Sequence, residues 1–310
     1  MKKRIDLSIK PSELEALGDD EFRSLAADVI TLLQTDTQEN QLNYYKPVSE
    51  ESVKVHTSSA KKIAIFGGNG SSKTECAIVE MIICCTGIIP ESLKGKFDKK
   101  KLRGPIKARL VCESLTTVLQ PIILPKLKWN LWTGVDAPGG EKGHWGWVPR
   151  HCLIKGEWEK SWSEKYRTLR LFYFNPDTKE REGESTIQFM SVDQDPSDFA
   201  SGDYHIVIHD EPPSLAIWRE NEARTMRVNG RMMLAMTWPD DPAISVEWIH
   251  DAIYDKGQPG PNKDPNVDCF TLYTTDNKFL DQKAISEQAA AWSKDIRDVR
   301  IFGKSLRFSN

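Results

Sequence analysis

The chain has 310 residues, 39% hydrophobic and 28% charged, which suits one large α/β core or two modest ones and excludes a disordered polyelectrolyte. A net charge of −3 excludes a chain-wide basic field, so any DNA contact must come from a local patch or from assembly. No apolar run is long enough to cross a bilayer, and Met1-Lys2-Lys3-Arg4 is followed too soon by Asp6 and Lys10 to read as a signal peptide.

In chain order, residues 11–34 read as a helix. Ser12 and Glu15 form a capping box, and Phe22, Leu25, Val29 and Leu33 form a stripe expected to pack. Residues 35–60 read as polar and irregular. A strand at 62–66 leads into a Gly-rich loop, and a helix follows from Glu75 to Cys85 with Ile78, Met81, Ile82 and Cys85 on its apolar face. Residues 91–105 read as a loop, and its basic run, Lys94, Lys96 and Lys99 to Lys101, reads as solvated. A strand from Ile106 to Cys112 precedes a helix from Thr116 to Leu127 that Pro121 starts or kinks.

Residues 128–165 hold six of the ten tryptophans: Trp129, Trp132, Trp145, Trp147, Trp158 and Trp162. This composition reads as an insertion packed by its own tryptophans, or as a platform for stacking single-stranded bases. His144, His151 and Cys152 lack a fourth ligand at zinc-like spacing, and the six cysteines show no C-x-x-C pair, which suits buried thiols of a reducing cytoplasm. Strands at Leu169–Phe174 and Ser185–Met190, joined by a polar turn, come next. They are followed by a loop from Asp193 to Gly202, a strand ending in Asp210-Glu211, a helix over 214–228, a strand from Arg231 to Thr237, a last strand from Asp268 to Thr274 and a last helix from Gln282 to Asp298. Alternating strands and helices give an α/β class with a mainly parallel sheet flanked by helices.

Two motifs carry chemistry. Gly67-Gly68-Asn69-Gly70-Ser71-Ser72-Lys73-Thr74 between a strand and a helix has the layout of a P-loop, with Ser72 where the consensus has its second glycine. Successive backbone N–H groups there form a nest for phosphate, Lys73 would reach the β- and γ-phosphates, and the Thr74 hydroxyl would bind Mg²⁺. The plain alternative is a Gly/Ser turn whose Lys and Thr are solvated. The second motif, Tyr204 to Glu211, is a β-rich run ending in two carboxylates. Asp210 would join the Mg²⁺ shell and Glu211 would deprotonate the attacking water. The alternative is that both acids cap the next helix. Phosphoryl transfer also calls for an arginine, and Arg219, Arg224, Arg227 and Arg231 are candidates for a finger offered to a neighbouring subunit, with Arg224, Arg227 and Arg231 preferred.

Taken in order, these motifs resemble the N-terminal ATPase domain of the large terminase subunit of tailed bacteriophages. The similarity lies in Phe66 to Thr74, in Asp193-Gln194-Asp195 with Phe199 and Gly202, and in Ile206 to Pro213. It continues in Gly230 to Thr237 and Arg297 to Lys304, and spans about residues 40–304. The resemblance implies a P-loop NTPase fold of the ASCE type, with ATP and Mg²⁺ bound. Lys73 and Thr74 would serve phosphates and metal, Asp210 the metal, Glu211 the water, and Thr237 the coupling of hydrolysis to movement. Many family loops carry an Arg where this one has Asn69, and residues 44–56 hold none of the family's adenine-side Gln. Tyr44 or Tyr45 would then stack on the base, or simply pack.

The expected organisation is an N-terminal helical and adenine-side segment over 1–60 and an ATPase core over 61–310, with an insertion at about 128–190. The family's nuclease domain would lie beyond Asn310, so ATP hydrolysis without DNA cleavage is expected. The resemblance further implies double-stranded DNA, a portal protein and a small terminase subunit as partners. It also implies a homo-oligomeric ring, no membrane, and work in the host bacterial cytoplasm at the procapsid portal. A helicase-like P-loop ATPase and a nucleotide-binding scaffold with negligible turnover are the alternative readings.

Overall fold

The computed structural model describes residues 12, 15–134, 136, 137, 140, 141, 143–239 and 246–305. Ser12 and Glu15 of the expected capping box are described but the residues between them are not, and the Asp240-Asp241-Pro242 turn lies outside the described residues.

The first sheet strand, β1 (Lys62–Gly67), sits between β10 (Val267–Leu272) and β9 (Arg231–Met236), parallel to both. β8 (Ile206–Asp210) follows β9, then β2 (Lys107–Cys112) and β7 (Arg181–Ser191), all parallel. The far edge is antiparallel, formed by β6 (Thr168–Phe174) and the two-residue β5 (Trp162–Ser163). The eight-stranded order is β10-β1-β9-β8-β2-β7-β6-β5, with a separate two-stranded hairpin of β3 (Asp136–Ala137) and β4 (Gly140–Glu141).

Strands covered on both faces read as unbroken apolar runs, and every residue of β8 and β9 is buried. One face is covered by α3 (Lys73–Thr86), whose Ile78, Met81, Ile82 and Cys85 are buried as their spacing predicts. The other face is covered by α4 (Leu215–Met226), through Ile217 and Trp218, and by a short irregular helical stretch that buries Ile249 and Ile253.

Several local expectations give way to physics outside their windows. Residues 35–60 are not irregular throughout. α1 (Asp19–Glu39) runs further than expected, and α2 (Glu50–Thr57) is capped by Ser49, whose hydroxyl accepts from the Ser52 N–H. α1 buries none of its residues, so the apolar stripe lies open, with Phe22 at 53% and Leu33 at 49% exposure. Pro121 has no N–H to give, and the segment it occupies is a wide π-helical turn from Leu115 to Ile123 that continues as one α-turn over Leu124–Leu127. The last helix is two, α5 (Gln282–Ala290) and α6 (Lys294–Arg300), because Ser293 caps a fresh start by accepting from the Ile296 N–H.

The tryptophan-rich segment packs on itself and on the core. Trp132 meets Trp145 edge-on at 5.4 Å, Trp158 lies 6.2 Å from Trp162, and Trp147 is buried against Tyr45. All six cysteines carry free thiols, five of them buried.

Candidate functional site

β1 and α3 meet at the loop 68–72. Its shape requires glycine at Gly68, where a Cβ would fall 2.2 Å from the Arg300 carbonyl oxygen. The chain there is pinned from outside. The Asn69 N–H donates to the Arg300 carbonyl at 2.7 Å, the Thr274 hydroxyl donates to the Asn69 carbonyl at 2.8 Å, and Asn277 Nδ2 donates to the Gly70 carbonyl at 2.7 Å. Gly68→Ala is therefore expected to displace the loop from α6 and to abolish nucleotide binding, read as lost ATP affinity with an earlier urea midpoint.

Ser72 occupies the consensus glycine position with a left-handed φ of +66°. That conformation is the reason a glycine suits the position. Here the serine is held by a compensating contact, as Asn277 Nδ2 donates to its hydroxyl at 3.1 Å. Ser71 Oγ is fully buried with no hydrogen-bond partner, an orphaned polar atom inside the loop that a phosphate oxygen would satisfy.

Lys73, at the start of α3, is buried, and among the described residues its ammonium donates to the Gly68 carbonyl, at 3.4 Å. Burial lowers its pKa, while Glu211 and Asp210 act to keep it charged. The next residue makes the central contact. The Thr74 hydroxyl donates to Asp210 Oδ1 at 2.6 Å, across 136 residues of sequence. Burial raises the Asp210 pKa, against the pull of Thr74 and Lys73. A hydroxyl beside a buried carboxylate is an all-oxygen donor pair of the kind that suits a hard divalent cation, so the residues fit magnesium.

Glu211 follows β8 with φ +76°, a rare conformation for a non-glycine residue, and strain of this kind gathers at functional sites. Burial raises its carboxyl to about 7, with Asp210 adding to the rise and Lys73 and the Thr237 N–H opposing it. β9 lies between β1 and β8, so its end carries Thr237 to the same place, and the Thr237 N–H donates to Glu211 Oε2 at 3.1 Å. The turn after Thr237 is anchored by Trp238, which stacks on Phe66 of β1 at 4.7 Å. Asn69, Glu113, Asp210, Glu211, Thr237 and Arg300 all border one cleft of about 550 Å³.

A second cavity, of about 520 Å³, opens beside Ser72 and Glu75 on the other side of the loop. Tyr44, Tyr45, Trp147 and Phe279 line it. Tyr45 is mostly engaged elsewhere, its hydroxyl 3.0 Å from His56 Nε2 and its ring against Trp147. Gln41 also lines this cavity, and its Oε1 accepts from the Trp145 N–H at 3.2 Å. Gln41 escapes the sequence reading because it precedes the 44–56 segment and sits in an otherwise ordinary polar stretch. The tryptophan-rich insertion builds the wall, with Lys126 and His144 each 2.5 Å from a Glu75 carboxylate oxygen.

The finger candidates lie at the opposite end of the sheet. Arg231, the first residue of β9, must be withdrawn. It is buried and paired with Glu80 at 3.3 Å and with the Cys84 sulfur at 3.2 Å, so it cannot reach a neighbour. Arg224 donates to the Ala200 carbonyl at 2.9 Å, and Arg227 is 82% exposed beside Asp203. Arg300, which the sequence reading did not select as a site residue, is the arginine bordering the cleft of Glu211. It is brought there by α6, more than 200 residues downstream of the loop.

No protein-family model and no curated protein matches the chain. Among solved structures it is similar to the large terminase ATPase domain of Thermus phage P74-26, at 15% identity and TM-score 0.53, over 86% of this chain and 96% of that one. It is also similar to the large terminase of the thermophilic bacteriophage D6E, at 12% identity and TM-score 0.56, over 84% of this chain and 54% of that one. The D6E protein solved with ATP-gamma-S aligns at 13% identity and TM-score 0.51, over 83% and 53%. The eight-stranded, mostly parallel sheet flanked by helices is thus the fold of the phage large terminase ATPase domains.

Proposed function

We propose that the chain is a Mg²⁺-dependent ATPase that drives double-stranded DNA into a viral procapsid, as the motor domain of a terminase large subunit. The observation that carries the reading is the contact of Thr74 with Asp210 at 2.6 Å, beside a Glu211 raised to about 7. A Gly-rich loop, an oxygen donor pair and a base of suitable pKa converge there from two distant parts of the chain, residues 67–74 and 210–211.

The loop N–H groups and Lys73 hold the β- and γ-phosphates. Thr74 and Asp210 would hold a magnesium ion, which when bound would supply Lewis-acid charge stabilisation. Glu211 accepts a proton from water as that water's oxygen bonds to the γ-phosphorus. The bond from phosphorus to the β-bridging oxygen breaks, and ADP and phosphate leave. Thr237, whose N–H is bonded to Glu211, feels the loss of the γ-phosphate through the same carboxylate. The base enters the cavity of Gln41 and Tyr45. Arg227 of a neighbouring subunit, or Arg300 of the same chain, supplies the charge that the loop lacks at Asn69. DNA, the portal and the small subunit are the partners this reading carries, with a ring formed at the procapsid portal in the host bacterial cytoplasm.

The test is ATP hydrolysis with duplex DNA present, at high protein concentration, in Mg²⁺ and in chelator, for the native chain and Asp210→Asn. The native chain should turn over only with Mg²⁺. The variant should bind ATP and lose roughly 100-fold or more in rate, as when several kcal/mol of metal-borne charge stabilisation is lost. Tight ATP binding by the native chain with no turnover would replace the motor reading by a nucleotide-binding scaffold.

A further inference from the structure

Four parallel strands begin side by side at the edge of the sheet away from the P-loop, β1 at Lys62, β2 at Lys107, β8 at Ile206 and β9 at Arg231. A concavity of about 220 Å³ opens there. Its wall carries Lys61, Lys100, Lys101, Arg103 and Arg231, with Asp98 as the one carboxylate among the lining residues.

The cations divide into two kinds. Lys101 and Arg231 are buried and share Glu80 behind the wall, at 2.7 and 3.3 Å. Lys61, Lys100 and Arg103 have no carboxylate within ion-pair distance among the described residues. Two of these are fixed by neutral carbonyls. Lys61 Nζ donates to the Asn229 carbonyl at 3.1 Å, and Arg103 Nη1 donates to the Val228 and Asn229 carbonyls at 2.9 and 3.1 Å. Such bonds aim the charges without neutralising them. The Lys61 pKa is lowered by burial and then by Arg103 and Arg231, as expected where like charges crowd without a counter-ion.

A fixed concavity of one sign concentrates the opposite sign. Apart from the His205 imidazole its wall offers no aromatic face to a base. The P-loop, at the other end of the strands, is the place for ATP. We propose that this concavity seats phosphates of the DNA backbone. The choice of DNA as the polyanion rests on the motor reading above, while the anion site itself rests on the charges. The basic run at 94–101 is thus split by the fold. Lys94 and Lys99 are paired with Glu91 and Asp177, Lys101 is buried, and Lys100 faces the concavity.

The experiment is equilibrium binding of a short DNA duplex to the full chain over a salt series. It compares the native protein with Lys61→Ala/Arg103→Ala and with Lys100→Glu, whose exposed side chain holds no hydrogen bond and so should not disturb folding. The log–log salt slope should fall by about two in the double variant, roughly one for each phosphate no longer neutralised, and Lys100→Glu should weaken binding at every salt concentration. Pyrophosphate should compete with the duplex. Unchanged affinity and slope in both variants would overturn the proposal. So would pyrophosphate binding that these substitutions abolish in a protein that holds no duplex, since the site would then serve free phosphate. ATP turnover in the same preparations separates the two readings: a native chain that hydrolyses no ATP sinks the motor, while the slope comparison still decides the anion site.

Discussion

Glu211→Gln is expected to bind ATP and to turn it over about 10²–10⁴-fold more slowly, the contribution of a positioned general base. The amide keeps the shape of the carboxylate and its bond from the Thr237 N–H, and loses only the capacity to take a proton. The native kcat/KM, which reports the free protein, should rise with pH through about 7, where Glu211 ionises, and the variant's should lack that inflection. The same substitution should stabilise the nucleotide-free protein. With a folded pKa of about 7 against an ordinary 4.5, the folded state holds a proton that the unfolded state has released between those values. Stability therefore falls as pH rises through that window, by about 1.4 kcal/mol per unit at most. Gln carries no such penalty, so Glu211→Gln should exceed the native protein by up to about 3 kcal/mol at pH 8 and match it near pH 4.5. Urea unfolding at the two pH values checks the stability and single-turnover hydrolysis checks the rate. Equal native and variant rates would remove Glu211 from the role of base.

Glu80→Ala is expected to destabilise the fold by about 3–5 kcal/mol, the range for breaking a buried ion cluster on one side. Glu80 is fully buried on α3 and faces three cations. Lys101 lies at 2.7 Å, His56 Nδ1 at 2.8 Å and Arg231 at 3.3 Å. Burial alone would raise its pKa, and these neighbours instead hold it well below the usual carboxylate range. For His56, burial opposes the charged ring, but the Cys76 sulfur and Glu80 outweigh it and raise the imidazole to about 9. The contribution of His56 is thus complete below its ordinary 6.5 and is lost as pH rises through about 9. That of Glu80 is complete above its ordinary value and lost in acid. Removing Glu80 leaves three buried cations facing one another, and Glu80→Gln, which keeps one acceptor oxygen for Lys101 and sets an amide NH2 against a His56 ring that must then be neutral at Nδ1, should lose less. Urea midpoints at pH 6.5 for native, Ala and Gln proteins test this. A Glu80→Ala midpoint equal to the native one would mean that the cluster adds nothing net.

Where the determinants are contiguous, the sequence alone settles the outcome. A strand, a loop rich in glycine and a helix beginning at Lys73-Thr74 are consecutive, so the strand–loop–helix layout around Gly67 to Thr74 is legible without knowledge of any neighbour. The β-rich runs of β8 and β9 are likewise legible as strands, and their alternation with helices gives the class of the sheet. Asp210 and Glu211 are legible because they end such a run. What side chains do across the sheet is a different matter, because it depends on which strand ends lie together. Arg231 reads locally as one more surface arginine after a helix, yet strand order places it over Glu80, 151 residues away. The stripe of α1 reads as a packing face, yet none of its residues is buried among the described residues. Gln41 and Arg300 are ordinary in their own segments and gain meaning only beside the loop that they flank. Periodicity and turn chemistry act over a few residues and are carried by the sequence itself. Charge neutralisation and burial act through space, so only the tertiary structure decided which cations are paired inside the fold and which line a concavity with no carboxylate at ion-pair distance among the described residues.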